Sequence, residues 1–164
     1  MSALLEKISS YNIFNYLLPG IIFVVLTEAF TSFSFVQEDI LLGIFLYYFI
    51  GLVISRIGSL IIEPVLKFVE FVKLADYLDF VNASATDEKL YLLAESNNMY
   101  RTFCSLIFLL IILKIFENIV AAYPIVGNWN NELLLIGLVI LFCFSYKKQT
   151  KYITKRIENT VKKG

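Results

Sequence analysis

Four long apolar stretches alternate with polar segments along the chain. They cover residues 13–35, 40–62, 102–122 and 129–146. A helix needs about 20 mainly apolar residues to cross roughly 30 Å of hydrocarbon, and in lipid every backbone polar group must be paired within the protein. The pattern therefore predicts an all-α integral membrane protein with four transmembrane helices, folded as a single membrane domain over residues 1–164.

The start of the first stretch contains a proline. Because proline fits the first turn of a helix, Pro19 and Gly20 predict either a kink or the true start of the span. We favour a bend at Pro19. Residues 1–10 carry apolar side chains at helical spacing, which predicts a short helix along the inner membrane surface.

Two polar segments predict helices outside the membrane. Residues 64–98 show helical spacing interrupted at 83–85, which predicts a helical hairpin between the second and third spans. Thr86 is the predicted N-cap of its second helix, which ends before the Asn pair at 97–98. Residues 147–164 predict a basic C-terminal helix. Two short helices cannot fold alone, so we expect the hairpin to pack on the tail, another subunit or a partner protein.

Basic residues are confined to alternate connections. The chain has 14 Lys and Arg and 14 Asp and Glu, but the connections around 37–39 and 121–132 contain neither Lys nor Arg, whereas the last eighteen residues contain seven basic ones. Cytoplasmic loops collect Lys and Arg. The hairpin and both termini are therefore predicted to be cytoplasmic.

Composition agrees with a membrane protein and gives no sign of a catalytic site. Hydrophobic residues make up 59% and charged residues 17%, against about 45–50% and 25% in soluble domains. The chain has no histidine, and Cys104 and Cys143 stand alone, which disfavours a zinc or iron–sulfur site. It also lacks a Gly-rich phosphate loop or a nucleophile elbow. We therefore expect a non-enzymatic protein with no metal and no cofactor.

Two ionisable residues fall inside the predicted spans. Glu28 lies in the outer part of the first span and Lys114 at a similar depth in the third. A charge inside the bilayer costs about 2.5–3.5 kcal/mol on insertion scales, so both are candidates for a function. One interpretation is an intramembrane charge pair that fixes helix order or lines a polar path. The other is that Lys114 reaches the outer interface beside Glu117, and Glu28 reaches the same interface.

The second span carries small residues at regular spacing. Gly51, Ser55 and Ser59 recur every four residues, a pattern typical of close helix packing in lipid. The pattern does not distinguish a contact within the chain from one between subunits, and we expect a homo-oligomer because four spans enclose little space. Arg56 and Glu63 share a face of the same helix, where they mark the inner boundary or pair with neighbouring helices.

The C-terminal tail is predicted to bind the inner leaflet. A basic side chain near anionic lipid contributes roughly 1 kcal/mol to binding. Only Tyr152 is interleaved with the basic residues, so we expect no nucleic-acid binding. The tail residues that we expect to face anionic lipid are Lys147, Lys148, Lys151, Lys155 and Arg156.

The layout of four spans, cytoplasmic ends and a modest inner hairpin resembles the four-span membrane subunit of Kiwa-type bacterial anti-phage defence systems. The resemblance is one of architecture over the whole chain. It implies a homotetramer in the bacterial inner membrane that senses infection, and a separate cytoplasmic partner that acts on the signal.

Two other functional classes remain open. Glu28 is an acidic residue in the first of four predicted spans, an arrangement similar to that of small multidrug-resistance transporters, which are proton-coupled. The 64–98 hairpin departs from the tight loops of those transporters. The third class is an oligomeric pore or membrane-perturbing effector. A transporter predicts substrate-dependent flux that is lost with Glu28, whereas a sensor predicts a cytoplasmic partner and no flux.

Overall fold

The computed structural model describes residues 13–163, which form helices and connecting segments without a strand. The helices are α1 (π-helical Ile13–Leu17 continued by α-helical Leu18–Phe30), α2 (Ile40–Phe68), α3 (Tyr77–Ser84), α4 (Lys89–Ala122), α5 (Pro124–Gly127) and α6 (Asn130–Lys163). The surface helix predicted within residues 1–10 lies outside the described residues.

Three helices in the described part of the chain are long and apolar enough to cross a membrane, namely α2, α4 and α6. The first predicted span, 13–35, is shorter than expected because α1 ends at Phe30. Thr31 is extended there, and its hydroxyl donates a 2.8 Å hydrogen bond to the Thr27 carbonyl oxygen and accepts one from the Phe33 N–H. Such side-chain bonds compete with helix continuation.

The segment 31–39 folds back over one end of the molecule instead of extending α1. Phe35 stacks on Phe23 with ring centroids 6.5 Å apart. The Gln37 N–H donates a 3.2 Å hydrogen bond to the hydroxyl of the partly exposed Tyr47 on α2. The segment therefore contacts both α1 and α2.

Pro19 of α1 and Pro64 of α2 each follow a π-helical segment of five residues. Ile13–Leu17 precedes Pro19, and Gly58–Ile62 precedes Pro64. Proline lacks an N–H and crowds the preceding turn, and a local π-helical adjustment re-pairs the backbone. The helix is therefore continuous through each proline.

Glycines bring α1 and α2 into backbone contact. A Cβ atom at Gly20 would overlap the Tyr47 carbonyl oxygen, and one at Gly51 would overlap the Tyr16 carbonyl oxygen. Close approach of two helices through small residues is the usual packing mode in lipid. α4 joins this pair through the buried Ser105 hydroxyl, which donates a 2.9 Å hydrogen bond to the Ile54 carbonyl oxygen.

The described apolar core is small and lies where these three helices meet. Phe23, Ile54 and Leu106 are buried together. Most other large apolar side chains of the described helices are exposed, including Leu135 and Val139 on α6. Such a surface requires an apolar environment to cover it, which agrees with helices that cross a membrane.

The polar hairpin differs from its prediction at both ends. The helix expected to continue from Pro64 to about residue 82 ends at Phe68, and Glu70 adopts a positive φ of 57°. The helix expected to stop before 97–98 instead runs on, so that α4 spans Lys89–Ala122 without a break. Thr86 does not cap it, because the Asp87 carboxylate accepts from the Lys89 N–H at 2.9 Å.

α3 packs against two of the long helices, α4 and α6. Its Tyr77 ring lies 4.9 Å from that of Tyr152 on α6, and Phe80 contacts Tyr91 of α4 edge-on at 5.9 Å. α6 continues through the basic tail to Lys163, as the pattern predicted. The hairpin therefore packs on the tail within one chain.

Candidate functional site

The three long helices are joined by one carboxylate at the end where α2 finishes. Glu63 of α2 accepts from Arg101 of α4 at 2.6 Å and from Lys148 of α6 at 3.5 Å, and Lys67 lies 3.4 Å away. We call these four residues the Glu63 cluster and this end of the molecule the basic end. The Glu63 side chain is only 12% exposed, so its ion pairs are shielded from solvent, and removing one partner costs more than it does for a surface pair.

Lys148 points into the protein, whereas the sequence predicted that it faces lipid. Its Nζ donates 2.7 Å hydrogen bonds to both the carbonyl and the hydroxyl oxygen of Ser59. This corrects the prediction for Lys148, and the reason is geometric: it occupies the face of α6 that meets Ser59 and Glu63 on α2. Of the other predicted tail residues, Lys147, Lys151 and Arg156 are exposed and Lys155 is partly exposed.

The charges of the Glu63 cluster are unbalanced, with one carboxylate and three cations. Burial raises the pKa of Glu63, but its basic neighbours outweigh this effect and hold the pKa below its usual value. Burial, together with the nearby charges of Arg101 and Lys67, lowers the pKa of Lys148 against the opposing effect of the Glu63 carboxylate. Both groups lie beyond the predicted spans 40–62 and 129–146. The cluster therefore favours the ionised form of Glu63 and disfavours the charged form of Lys148. An additional anion nearby would stabilise the charged lysine.

A small polar pocket of about 30 Å³ lies beside the Glu63 cluster. Arg56 enters it from α2, and its guanidinium donates a 3.3 Å hydrogen bond to the Tyr16 hydroxyl. The Nε atoms of Arg56 and Arg101 are both buried without a hydrogen-bond acceptor in the described part of the chain. The residues that line the pocket are Arg56, Ser59, Leu60, Ser145, Lys148, Gln149 and Tyr152.

Lys114 and Glu28 do not form the predicted pair. Lys114 is paired with Glu117 at 2.6 Å, three residues further along α4, where the two side chains share a helix face. Glu117 also accepts from the Ser32 N–H at 2.7 Å, which fixes the 31–39 segment to α4. Glu28 is exposed, and it makes no hydrogen bond or ion pair with another described residue.

The small-residue ridge of α2 is used inside the chain. Gly51 contacts α1 at Tyr16, Ser55 is buried, and Ser59 binds Lys148 of α6. Gly51 and Ser59 therefore contact two different helices of the same chain, α1 and α6.

α6 stands away from the other helices along most of its apolar length. A groove of about 740 Å³ separates it from α2 and α4, and every residue that lines the groove is apolar. α6 contacts α2 across it at Phe142, whose ring lies 6.1 Å from that of Phe49. Neither Glu28 nor Lys114 lines the groove.

Sequence reasoning placed Glu63 at a boundary but did not identify it as the residue that joins three helices. A usable signal was present: Glu63, Arg101 and Lys148 each lie within two residues of the end of a predicted span. Residues at the same level of a bundle can meet even when they are far apart in sequence. The sequence alone does not show which of these residues face each other, because it does not give the rotation of each helix about its axis.

The comparisons with known proteins found no matching family model, no matching curated protein and no matching solved structure.

Proposed function

We propose that this chain is a non-enzymatic, oligomeric inner-membrane subunit that senses a change in the bilayer and transmits it to a cytoplasmic partner. In this proposal the basic end is cytoplasmic and α1 also crosses the membrane, completed at its outer side by the 31–39 segment. Bacterial anti-phage defence is the setting that the resemblance to Kiwa-type membrane subunits implies, and the resemblance is also the source of the expected tetramer.

The continuity of α4 and α6 is the observation that carries this proposal. Each helix has 34 residues, which is about 51 Å at 1.5 Å per residue, whereas the hydrocarbon layer is only about 30 Å thick. Each helix therefore extends from the apolar region into the polar region without a break. A tilt or shift of either helix in the membrane moves its cytoplasmic end directly.

The surroundings of α3 support the same direction of transmission. α3 contacts α4 at Tyr91 and α6 at Tyr152, so it responds to a relative movement of the two long helices. Phe68 and Phe71, which precede α3, are 89% and 78% exposed. Exposed aromatic side chains of this kind are typical of a surface that binds a protein partner.

The test is to break α4 where it leaves the apolar region. Inserting two glycines between Asn97 and Asn98 should uncouple the membrane and polar parts of the helix, because glycine lowers helix stability. The readout is protection against phage in bacteria that express the chain together with its neighbouring genes. We expect protection to be lost while the amount of protein in the membrane fraction stays unchanged.

The matched control inserts two glycines between Asn128 and Trp129, in the loop before α6. This control should keep full protection. Protection retained by the insertion in α4, or absent for the wild-type chain and its neighbours, would contradict the proposal.

A further inference from the structure

The apolar groove beside α6 has the dimensions of a ligand site. Its volume of about 740 Å³ falls within the roughly 300–1,000 Å³ of small-molecule sites. Phe49, Leu113 and Phe144 contribute to its walls from three different helices, and Gly137 leaves open space on the α6 side, with no atom within 4 Å of a Cβ built there. The groove therefore suits an elongated apolar group.

One end of the groove adjoins the polar pocket. Leu60 lines both, so the apolar surface passes into the pocket formed by Arg56, Ser59 and Lys148 without an intervening helix. Leu60 is also near the end of the predicted span 40–62. The change from apolar to polar lining thus coincides with the level at which a phospholipid changes from acyl chain to headgroup.

The polar end carries excess positive charge. Arg56 and Lys148 line the pocket. The single carboxylate of Glu63 is shared by three cations, Lys67, Arg101 and Lys148. The buried Nε of Arg56 has no acceptor among the described residues, so no carboxylate of the described chain balances the Arg56 guanidinium. Arg and Lys are the usual ligands of phosphate groups in proteins.

We propose that the groove and the polar pocket together bind one anionic diacyl phospholipid, with its phosphate at Arg56 and Lys148 and its acyl chains along α6. Basic pockets between helices at the cytoplasmic side are known to hold anionic headgroups. The proposal rests on the membrane placement of the proposed function, since the basic end must lie at the inner leaflet.

Charge complementarity favours a lipid over a second copy of the chain. The acidic residues within the described apolar stretches are Glu28, Glu117 and Glu132. Glu117 lies at the opposite end of α4 from Arg101, and Glu132 lies at the opposite end of α6 from Lys148. In another copy of the chain, the carboxylate at the level of the pocket is Glu63, which is already paired with Arg101 and Lys148 of its own chain. A lipid phosphate supplies the missing anion there.

The experiment measures lipid binding by the purified full-length chain in mild detergent, using native mass spectrometry. The probes are dioleoylphosphatidylglycerol and dioleoylphosphatidylcholine, which have the same acyl chains and differ in net charge, and inorganic phosphate. We expect one retained phosphatidylglycerol per chain and at least about tenfold weaker retention of phosphatidylcholine, because both lipids carry a phosphate but phosphatidylcholine also brings a quaternary ammonium next to the basic side chains. Inorganic phosphate should not displace the lipid.

Two variants locate the site. Arg56→Gln removes a headgroup ligand. Gly137→Leu places a side chain in the groove, where a Cβ atom has no neighbour within 4 Å. Each variant should reduce retention of phosphatidylglycerol at least about tenfold. Lys73 is exposed and lines neither the groove nor the polar pocket, so Lys73→Gln is the matched control and should retain the lipid.

Four results would overturn the assignment. They are equal retention of the two lipids, equal loss with Lys73→Gln, displacement of the lipid by inorganic phosphate that also occurs in Gly137→Leu, and a dimer that dissociates in Gly137→Leu. The last result would make the groove a contact between copies. Because binding is measured on the isolated chain, it is independent of phage protection. Lipid binding without protection would therefore contradict only the proposed function.

Discussion

At the scale of single residues, the molecule depends on a few positions where small size or charge is required. Gly20 and Gly51 let two helix backbones touch, and Glu63 neutralises cations from three helices. These positions act differently, since the glycines remove a steric obstacle whereas Glu63 supplies an attraction. Each can be tested by the smallest substitution that removes its property.

Gly51→Ala should destabilise the fold because its new Cβ meets the backbone of Tyr16 and cannot be relieved by a rotamer change. We expect a loss of at least about 1–3 kcal/mol in the free energy of unfolding, as for other overpacked sites. The measurement is thermal unfolding in detergent. Gly137→Ala is the control, because nothing lies near its Cβ; equal melting temperatures for the two variants would show that the close contact between α1 and α2 is not formed.

Glu63→Gln should leave Arg101, Lys67 and Lys148 without their shared carboxylate while keeping the side-chain shape. A charge-assisted hydrogen bond contributes about 1.5–3 kcal/mol, and we expect a loss of that size in thermal unfolding experiments. Glu70→Gln is the matched control on the exposed turn after α2. The idea that Glu63 joins the helices fails if the two variants are equally stable.

At the scale of elements, periodicity predicted the type of structure better than its boundaries. The apolar pattern of α2, α4 and α6 identified all three long helices. The sequence does not predict the end of α1, because that end depends on the hydrogen bond from the Thr31 hydroxyl to the Thr27 carbonyl oxygen. It does not predict the continuity of α4 either, because Asn97 and Asn98 favour a break. Asparagine is only a weak helix former, and here Thr102 hydrogen-bonds to the Asn98 carbonyl within the helix.

The position of α3 depends on its contact with the tail. Tyr77→Ala removes the ring that packs on Tyr152. Aromatic pairs contribute about 0.5–1.5 kcal/mol beyond their burial, so amide hydrogen exchange in α3 (Tyr77–Ser84) should become roughly two- to tenfold faster, as measured by mass spectrometry. Tyr100→Ala, which removes a 66% exposed ring of α4, should leave this exchange unchanged. Unchanged exchange in Tyr77→Ala would show that α3 does not depend on the tail.

At the scale of the whole molecule, the distribution of charge was predictable and the pairing of charges was not. Basic residues do collect at one end, but the pair proposed for Glu28 and Lys114 is not formed, because Lys114 has a nearer partner in Glu117. Depth in the membrane can be read from the sequence, whereas the rotation of each helix about its axis cannot. The Glu63 cluster depends on that rotation.

We propose that α2, α4 and α6 cross the membrane with the basic end in the cytoplasm. The most direct measurement is labelling of single cysteines by a membrane-impermeant maleimide in intact spheroplasts, in a chain whose two native cysteines are replaced by serine. Cysteines at Glu38 and Asn128 should be labelled, and cysteines at Thr86 and Thr160 should be labelled only after the membrane is permeabilised; all four positions are exposed. Labelling of the cysteine at Thr86 in intact spheroplasts, or absence of labelling at Glu38, would contradict this orientation.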